Sequence, residues 1–424
     1  MVCDILGSMI SERDECFSVI MDIGRSMMGC GADVHTIEEL LTRMGRAYGA
    51  SRMNVLVITA EIIVTAFFPG EREITYSRRI TSEGGSNFTK LDALSNLCNA
   101  CCEKPIPAKE LRSRFDDIDS EHISNLALYL GGIFAASGFA VFFGGGLSEA
   151  LLAAVFAILT CFSIERFRPI VPNVLVFNFV TSLIVGTIIC FTAEILHGIN
   201  VNMVIVGVIM LLIPGVAMTN STRDMLSGDT ISGVMRFIES LLWAGSLAIG
   251  FMVALWFATL AGIENPELQG GADWPLYTMI PITFLSALGF AFFFNVQPRY
   301  IIISSIGGLL TWLVYFGMHM VIDDVFIPTL VASSFAAIFA EVLAWILKVP
   351  NEGFFIIAVI PLVPGRLLYY TMYCAVQGAW NDCITYGLQM IYFAAGIALG
   401  ICLVAAALQI RDGFKRQIAK GEFI

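Results

Sequence analysis

After Glu121 the sequence contains a long series of apolar segments, and this series limits the fold more than any other feature. A helix needs about 20 mostly apolar residues to cross a bilayer. Ten such segments are predicted, at 124–143, 148–165, 173–195, 201–219, 232–260, 276–295, 300–320, 327–347, 354–375 and 383–410. If they were the core of a soluble protein, almost no polar surface would remain to cover it. The sequence therefore predicts an all-α membrane domain of ten transmembrane helices.

The first part of the chain differs in composition from the rest. Charged residues make up 14% of the whole sequence, against about 25% in average soluble domains, and they are concentrated before residue 122. Periodicity and turn signals here predict helices at 17–28, 34–48, 87–102 and 108–115, and strands at 54–59, 61–68 and 73–80. We expect residues 1–121 to form an α+β domain.

Charge and motifs argue against several functional classes. The net charge of −11 argues against a nucleic-acid-binding protein, which needs a basic surface. The glycine-rich stretch 84–90 lacks Walker A spacing, which argues against an ATP-driven pump. No nucleophile–base motif is present, and the four histidines, His35, His122, His197 and His319, show no metal-ligand spacing. We expect no enzymatic activity, no metal and no cofactor.

The charges between the apolar segments predict an orientation. The first 15 residues lack the pattern of a signal peptide, so the α+β domain is expected in the cytoplasm. Basic breaks alternate along the chain with acidic or neutral ones, as the positive-inside rule requires. The basic breaks contain Arg166, Arg168, Arg223, Arg299, Lys348 and the C-terminal tail, and the acidic ones contain Glu264, Glu267, Asp273, Asp323 and Asp324. The sequence predicts a multi-pass protein of the plasma membrane with both termini in the cytoplasm.

The membrane part contains an internal repeat. Three short motifs recur in the same order: 138–143 with 289–294, 193–196 with 340–343, and 213–215 with 363–365. They define two five-helix units, residues 122–262 and 263–424, the second of which includes the C-terminal tail. After five crossings the chain is on the opposite side, so the second unit inserts upside down. Inverted repeats of this kind are typical of secondary transporters.

The third motif of each unit predicts where a solute binds. Pro214-Gly215 and Pro364-Gly365 each interrupt an apolar segment, because proline removes a backbone donor and clashes with the preceding turn. Interrupted helices leave carbonyl groups and half-helix ends free to contact a polar solute, although proline often merely kinks a helix. The polar residues that follow the breaks are candidate substrate ligands: Thr219, Asn220 and Arg223 after the first, and Arg366, Tyr370 and Tyr373 after the second. Arg366 could bind a carboxylate through two hydrogen bonds, or form a structural ion pair.

Four acidic residues are candidates for proton coupling. Glu194 and Glu341 occupy matched positions in the two units, and burial would raise the pKa of either carboxyl group toward neutrality. Either could instead be solvated at an interface. Asp224 and Glu239 are also candidates, but local ion pairs with Arg223 and Arg236 are the favoured interpretation for them.

These motifs resemble those of the threonine/serine exporter family. The resemblance is carried by residues 214–229 together with 22–25 and 31–34 in the first half, and by 288–299, 348–350 and 360–365 in the second. It covers about residues 12–412 and implies a proton-driven exporter of small amino acids such as threonine and serine. In split members the second half is a separate subunit, and those relatives are associated with dicarboxylate export. A dicarboxylate exporter and a non-transporting membrane sensor therefore stay as alternatives, and a homo-oligomer is compatible with either.

Overall fold

The computed structural model describes residues 2–70, 73–80, 85–121, 124–196, 198–263 and 271–419. The chain divides into two compact units. We call the first, Met1–Ser124 with Val216–Ile238, the N-terminal unit, and the second, Asn125–Gly215 with Glu239–Ile424, the membrane unit. The first unit therefore includes a segment that is distant in sequence. Of the acidic breaks used to predict the orientation, Glu264 and Glu267 lie outside the described residues.

The N-terminal unit consists of helices and one small sheet. Its elements are α1 (Val2–Gly29), α2 (Val34–Ala47), β1 (Arg52–Val57), β2 (Glu61–Phe67), β3 (Ile74–Arg79), α3 (Phe88–Glu103), α4 (Ala108–Asp119), α9 (Gly215–Ser227) and the start of α10 (Thr230–Leu260). All seven elements predicted before residue 122 are present, with ends that differ mostly by a few residues. Helix α1 is the exception, because it begins well before the predicted start at residue 17.

The sheet is antiparallel, in the order β1-β2-β3. Ile62, Val64 and Ala66 alternate along β2 and are all completely buried, as expected for a strand with one face on a core. Helices α1 and α2 pack against the strands. The β2–β3 connection includes Gly70 at φ +78°, a conformation that favours glycine at the predicted Pro69-Gly70 turn.

The membrane unit is helical. It contains α5 (Asn125–Phe142), α6 (Leu147–Arg166), α7 (Val174–Leu196), α8 (Val201–Ile209), the rest of α10, α11 (Leu276–Phe293), α12 (Ile301–His319), α13 (Phe326–Leu347), α14 (Glu352–Val359), a 3-10 turn (Ile360–Leu362), α15 (Gly365–Val376) and α16 (Trp380–Ala419). In the described part of the chain, 8 helices are long and apolar enough to cross a membrane. The bent pair Glu352–Leu362 and Gly365–Ala375, with an angle of 44°, raises the number to 9 if it is one span. These helices support an all-α membrane protein.

The tenth predicted span is not confirmed. Residues 201–219 do not form one helix, because α8 ends at Ile209 and α9 begins only at Gly215. A nine-residue helix is about 14 Å long, which is half of a hydrocarbon core. Its continuation beyond Gly215 clusters with the N-terminal unit. The break at Pro214 explains why apolar length alone predicted one more span than the structure supports.

Helices α5 and α11 cross closely at glycine residues. A Cβ atom on Gly131 would lie 2.8 Å from the Gly289 carbonyl oxygen, and one on Gly289 would lie 2.8 Å from the Ala135 Cα. Further along α5, a Cβ on Gly138 would lie 3.1 Å from the Ser286 Cα. The contacts move forward along α5 as they move back along α11, so the two helices are antiparallel.

Candidate functional site

Two broken helices form the centre of the candidate site. α8 stops before Pro214, and α14 stops before the 3-10 turn and Pro364. In both breaks the glycine N–H bonds back across the proline: Gly215 N donates to Ile213 O at 2.8 Å, and Gly365 N donates to Val363 O at 2.8 Å. Because proline has no N–H, it cannot make the bond that would continue either helix. The two breaks therefore have the same local geometry.

The two breaks also lie against each other. A Cβ atom on Gly365 would lie 2.7 Å from Ile213 Cδ1 and would overlap the sulfur of Met210, both in the first break. A Cβ on Gly215 would lie 3.9 Å from Val363 Cγ2, in the second. A larger residue at 365 would have to displace the ends of the Met210 and Ile213 side chains.

Arg366 is half-buried directly after the second break. Its guanidinium carbon lies 5.5 Å from the ring centre of Phe143 and 5.7 Å from that of Tyr370. Such cation–π contacts stabilise a desolvated guanidinium. No carboxylate among the described residues lies within ion-pair distance of it, so the structural ion pair considered for Arg366 is not found in this part of the chain.

A buried hydrogen bond joins the two broken helices. The hydroxyl of Tyr369 on α15 donates to Oδ1 of Asn202 on α8 at 2.7 Å, and both side chains are fully buried. Asn202 was missed by the sequence analysis. The internal repeat could have indicated Asn202. It lies 150 residues before the buried Glu352, which is also the spacing between Pro214 and Pro364.

The remaining tyrosines after the second break are mostly enclosed. Tyr370 and Tyr373 are buried, at 8% and 6% exposure. Tyr370 packs edge-on against Tyr386 with ring centres 5.3 Å apart, and Tyr373 accepts a hydrogen bond from Gln377 Nε2 at 3.3 Å. Of these two predicted ligands, Tyr370 lies against Arg366, whereas the contacts of Tyr373 are with Tyr369 and Gln377.

The predicted ligands after the first break lie in the N-terminal unit. Thr219, Asn220, Arg223 and Asp224 are all on α9, and all except Arg223 are buried. Asn220 Nδ2 donates to Gly31 O at 2.7 Å. The structure therefore divides the candidate ligands between its two units: Thr219, Asn220 and Arg223 in one, and Pro214, Gly215, Pro364, Gly365, Arg366, Tyr370 and Tyr373 in the other.

Asp224 is the centre of a buried polar cluster. Its Oδ1 accepts the backbone N–H of Val34 at 2.8 Å, and its Oδ2 lies 3.0 Å from Nη1 of Arg236. Arg223 lies 3.7 Å from Asp33 instead. The predicted Arg223–Asp224 pair is therefore wrong, because adjacent residues of a helix point in different directions. Arg236 was missed as the partner of Asp224, since the sequence analysis looked for partners within one turn.

Burial raises the pKa of Asp224 to about 6. The desolvation of the carboxylate is the largest cause, and Asp33 and Asp229 add like charge. The charge of Arg236 and the Val34 N–H oppose the shift without cancelling it. A carboxyl group with such a pKa can gain or lose a proton near neutral pH.

The other candidate proton carriers lie in the membrane unit. Glu341 is half-buried on α13, where its Oε1 accepts a hydrogen bond from Asn351 Nδ2. Glu194 is exposed near the end of α7, and Glu239 is half-buried on α10. The structure does not bring the matched pair, Glu194 and Glu341, to similar surroundings.

The described residues include no group of three or more His, Cys, Asp or Glu side chains arranged to hold a metal ion. His122 and His197 lie outside the described part. In the membrane unit the candidate site thus consists of two broken helices, aromatic rings and the half-buried Arg366.

Comparison with known proteins gives consistent results for both halves. A threonine/serine exporter family model matches residues 18–258, and a second model described as threonine/serine exporter matches 280–407. The threonine/serine exporter of Corynebacterium glutamicum is 22% identical over 89% of this chain and 80% of its own length. A protein of Mycobacterium tuberculosis named "probable threonine/serine exporter" is 21% identical over 88% of this chain and 72% of its own.

A third relative matches about half of this chain. It is a protein of Klebsiella aerogenes named "probable succinate transporter subunit", which is 24% identical over 55% of this chain and 90% of its own length. No solved structure matches the chain significantly. Because a family model covers more than half of the residues, the chain belongs to the threonine/serine exporter family.

Proposed function

We propose that this protein is a secondary active, proton-coupled exporter of small polar amino acids such as threonine and serine. The observation that carries the proposal is the pair of Pro-Gly breaks packed against each other in the membrane unit. Broken helices that meet at the middle of a bundle are the usual binding site of secondary transporters. Membership of an exporter family supports export as the direction of transport. The names of two relatives support threonine and serine as the substrate class.

An inverted repeat is part of the proposal. Gly138 and Gly289 are 151 residues apart, as are Ala135 and Ser286. Gly138 contacts Ser286, and Gly289 contacts Ala135, so each helix presents the same pair of positions to the other. Such reciprocal contacts are those of two helices related by a two-fold axis. Because α5 and α11 are antiparallel, this axis is perpendicular to both helices. The equivalent residues Phe139 and Phe290 meet edge to face, with ring centres 5.7 Å apart.

Arg366 is the proposed ligand of the substrate carboxylate. Its guanidinium is desolvated by aromatic rings and has no carboxylate partner among the described residues, so a carboxylate from the solute would complete its hydrogen bonds. Tyr370 and Tyr373 supply hydroxyl groups around it. Thr219, Asn220 and Arg223 of the N-terminal unit are proposed as further solute ligands.

Asp224 and Glu341 are the proposed proton carriers, with Glu194 and Glu239 as weaker candidates. A pKa of about 6 supports Asp224, because a carrier must exchange protons at the pH of the cytoplasm. We further propose that the protein lies in the plasma membrane with both termini in the cytoplasm. Residues 1–121 would then form a cytoplasmic α+β domain, and a homo-oligomer is compatible with this arrangement.

Counterflow in liposomes tests the substrate class. Purified full-length protein is reconstituted with unlabelled threonine inside, and entry of labelled threonine, serine or succinate is followed. The proposal predicts saturable exchange of the amino acids. Arg366→Ala should raise the half-saturating concentration about tenfold or more, because a charge-assisted hydrogen bond is lost.

Arg299→Ala is the matched control, since Arg299 is exposed, stacks on Tyr300 at 4.6 Å and donates its Nε–H to Gln297 Oε1 at 2.8 Å. It should behave like the native protein. Equal effects of the two substitutions would remove Arg366 from the site. Binding of threonine without exchange would instead favour a membrane sensor.

A dicarboxylate exporter is the second candidate. It is favoured by the match to the succinate transporter subunit, and a single carboxylate ligand such as Arg366 suits either class of solute. Saturable exchange of succinate, with none of threonine or serine, would establish this alternative.

A further inference from the structure

Two hydroxyl groups of α12 differ from the other hydroxyls of the membrane helices. Most serine and threonine side chains in these helices donate to the carbonyl four residues earlier, as Thr283 does to Met279 O at 2.8 Å and Ser305 does to Ile301 O at 2.7 Å. Ser304 and Thr311 are fully buried, yet their hydroxyl oxygens have no hydrogen-bond partner within the described residues. A buried hydroxyl without a partner destabilises the packed state.

The two hydroxyls lie on one face of α12, which we call the α12 hydroxyl face (Ser304, Gly308, Thr311). Positions i, i+4 and i+7 share one side of a helix. Gly308 marks what this side touches, because a Cβ there would lie 2.8 Å from Ala287 Cβ of α11, and 3.0 Å from Ile357 O and 3.7 Å from Pro361 Cγ of the second broken helix. The α12 hydroxyl face is therefore packed on the second broken helix.

The backbone opposite this face is also exceptional. In a continuous helix Ile357 O would accept the N–H of residue 361, but that residue is proline and has no N–H. The carbonyl nearest to Gly308 has thus lost its helical donor. A polar strip consisting of two hydroxyls and this carbonyl runs along an otherwise apolar interface.

The strip leads toward Arg366. Trp312, which follows Thr311 on α12, packs against Phe142 with ring centres 6.1 Å apart. The guanidinium carbon of Arg366 lies 5.5 Å from the ring centre of the neighbouring Phe143. Ser304 and Thr311 are about 10 Å apart along the helix axis, too far to bind one hydroxyl group together. Thr311 is therefore the one that can act beside a solute held by Arg366, and Ser304 lies one step further along.

We infer that the α12 hydroxyl face recognises the side-chain hydroxyl of the transported amino acid, with Thr311 as the main specificity residue. The inference rests on the proposed function and extends it to substrate selection. The Thr311 hydroxyl and the side-chain hydroxyl of a serine or threonine substrate can each donate and accept a hydrogen bond, so the two groups satisfy each other. The contact forms when α12 and the second broken helix separate, which relieves the cost of the unpartnered hydroxyls in the packed state.

The test compares labelled threonine with labelled 2-aminobutyrate, which has a hydrogen in place of the hydroxyl, in liposomes containing the full-length protein. Thr311→Val should raise the KM for threonine about tenfold and leave the KM for 2-aminobutyrate unchanged. Ser304→Ala should act in the same direction, by about threefold. Thr311→Ser, which keeps the hydroxyl, should retain the native preference.

Thr283→Val and Ser305→Ala are matched controls, because each removes a hydroxyl that is bonded to its own helix. Neither should change the preference for threonine. Thermal unfolding gives a second measurement, in which Thr311→Val should be at least as stable as the native protein and Thr283→Val less stable.

An unchanged threonine preference in Thr311→Val, with native transport intact, would overturn the inference and leave the proposed function standing. If the native protein exchanged neither solute, both would fail. A lower melting temperature for Thr311→Val than for Thr283→Val would contradict the structural basis, whatever the transport results.

Discussion

At the scale of single residues, the polar groups of the N-terminal unit are held by partners distant in sequence. Asp224 on α9 bonds the first backbone N–H of α2, and Asn220 bonds the Gly31 carbonyl just before that helix. Asp33 caps α2 through Thr36 N at 2.8 Å. The motifs at 31–34 and 214–229, which are distant in the sequence, therefore contact each other in the fold.

The raised pKa of Asp224 predicts how stability depends on pH. Its ordinary pKa is 3.8 and its folded pKa is about 6, so the folded chain holds the proton more tightly than the unfolded chain. The stabilising contribution is complete below pH 4 and is lost as the pH rises to 6. The loss is about 3 kcal/mol.

Chemical unfolding of the native protein and of Asp224→Asn at pH 4, 5 and 7 measures this contribution. Asparagine does not titrate, so the native protein should lose stability relative to the variant as the pH rises. If the native protein gained stability over the variant instead, the ion pair with Arg236 would outweigh the burial of the carboxylate.

Tyr369→Phe tests the bond between the two broken helices. It removes one hydroxyl and deprives the buried Asn202 Oδ1 of its 2.7 Å bond. We expect a loss of about 1–3 kcal/mol in unfolding free energy. Tyr277→Phe, at a tyrosine that is 79% exposed, should change the melting temperature in detergent little, and equal effects would show that the Tyr369 bond contributes nothing specific.

At the scale of helices and strands, the sequence was sufficient where a local rule applies. Alternation predicted β2, Asp33 predicted the start of α2, and Pro214 and Pro364 predicted the two breaks. It was insufficient where the outcome depends on tertiary contacts. Apolar length predicted a span at 201–219, but α9 clusters with the N-terminal unit, and no local signal encodes the contacts of Asn220 and Asp224.

The close packing of the two breaks predicts unequal effects of the same substitution. Gly365→Ala would place a methyl group 2.7 Å from Ile213 and on the sulfur of Met210. We expect it to cost about 1–3 kcal/mol of stability and to lower the exchange rate. Gly215→Ala meets only Val363, at an ordinary contact distance of 3.9 Å, so it should be tolerated.

Thermal unfolding and counterflow of both variants measure the difference. Equal tolerance of the two alanines would mean that the breaks are not in contact in the membrane. Equal damage would point to the flexibility of glycine in both breaks, rather than to the space around Gly365.

At the scale of the whole molecule, the repeat and the function support each other. In the proposed inverted repeat, two antiparallel five-helix units would exchange conformations, which converts a site open to one side into a site open to the other. The reciprocal contacts of α5 and α11 place equivalent residues of the two units together at Phe139 and Phe290. The short motifs of the sequence repeat predict which residues of α5 and α11 are equivalent. The division of the candidate ligands between the N-terminal unit and the membrane unit depends on tertiary contacts, which a sequence repeat does not record.

The central claim is that solute movement is coupled to protons through the broken helices. The most direct measurement is accumulation of labelled threonine against its own gradient in sealed liposomes, driven by an imposed pH difference. We expect uphill accumulation that stops when a protonophore removes the pH difference and that is slower in Gly365→Ala. Downhill flux of equal rate with and without the pH difference, in the native protein, would contradict it.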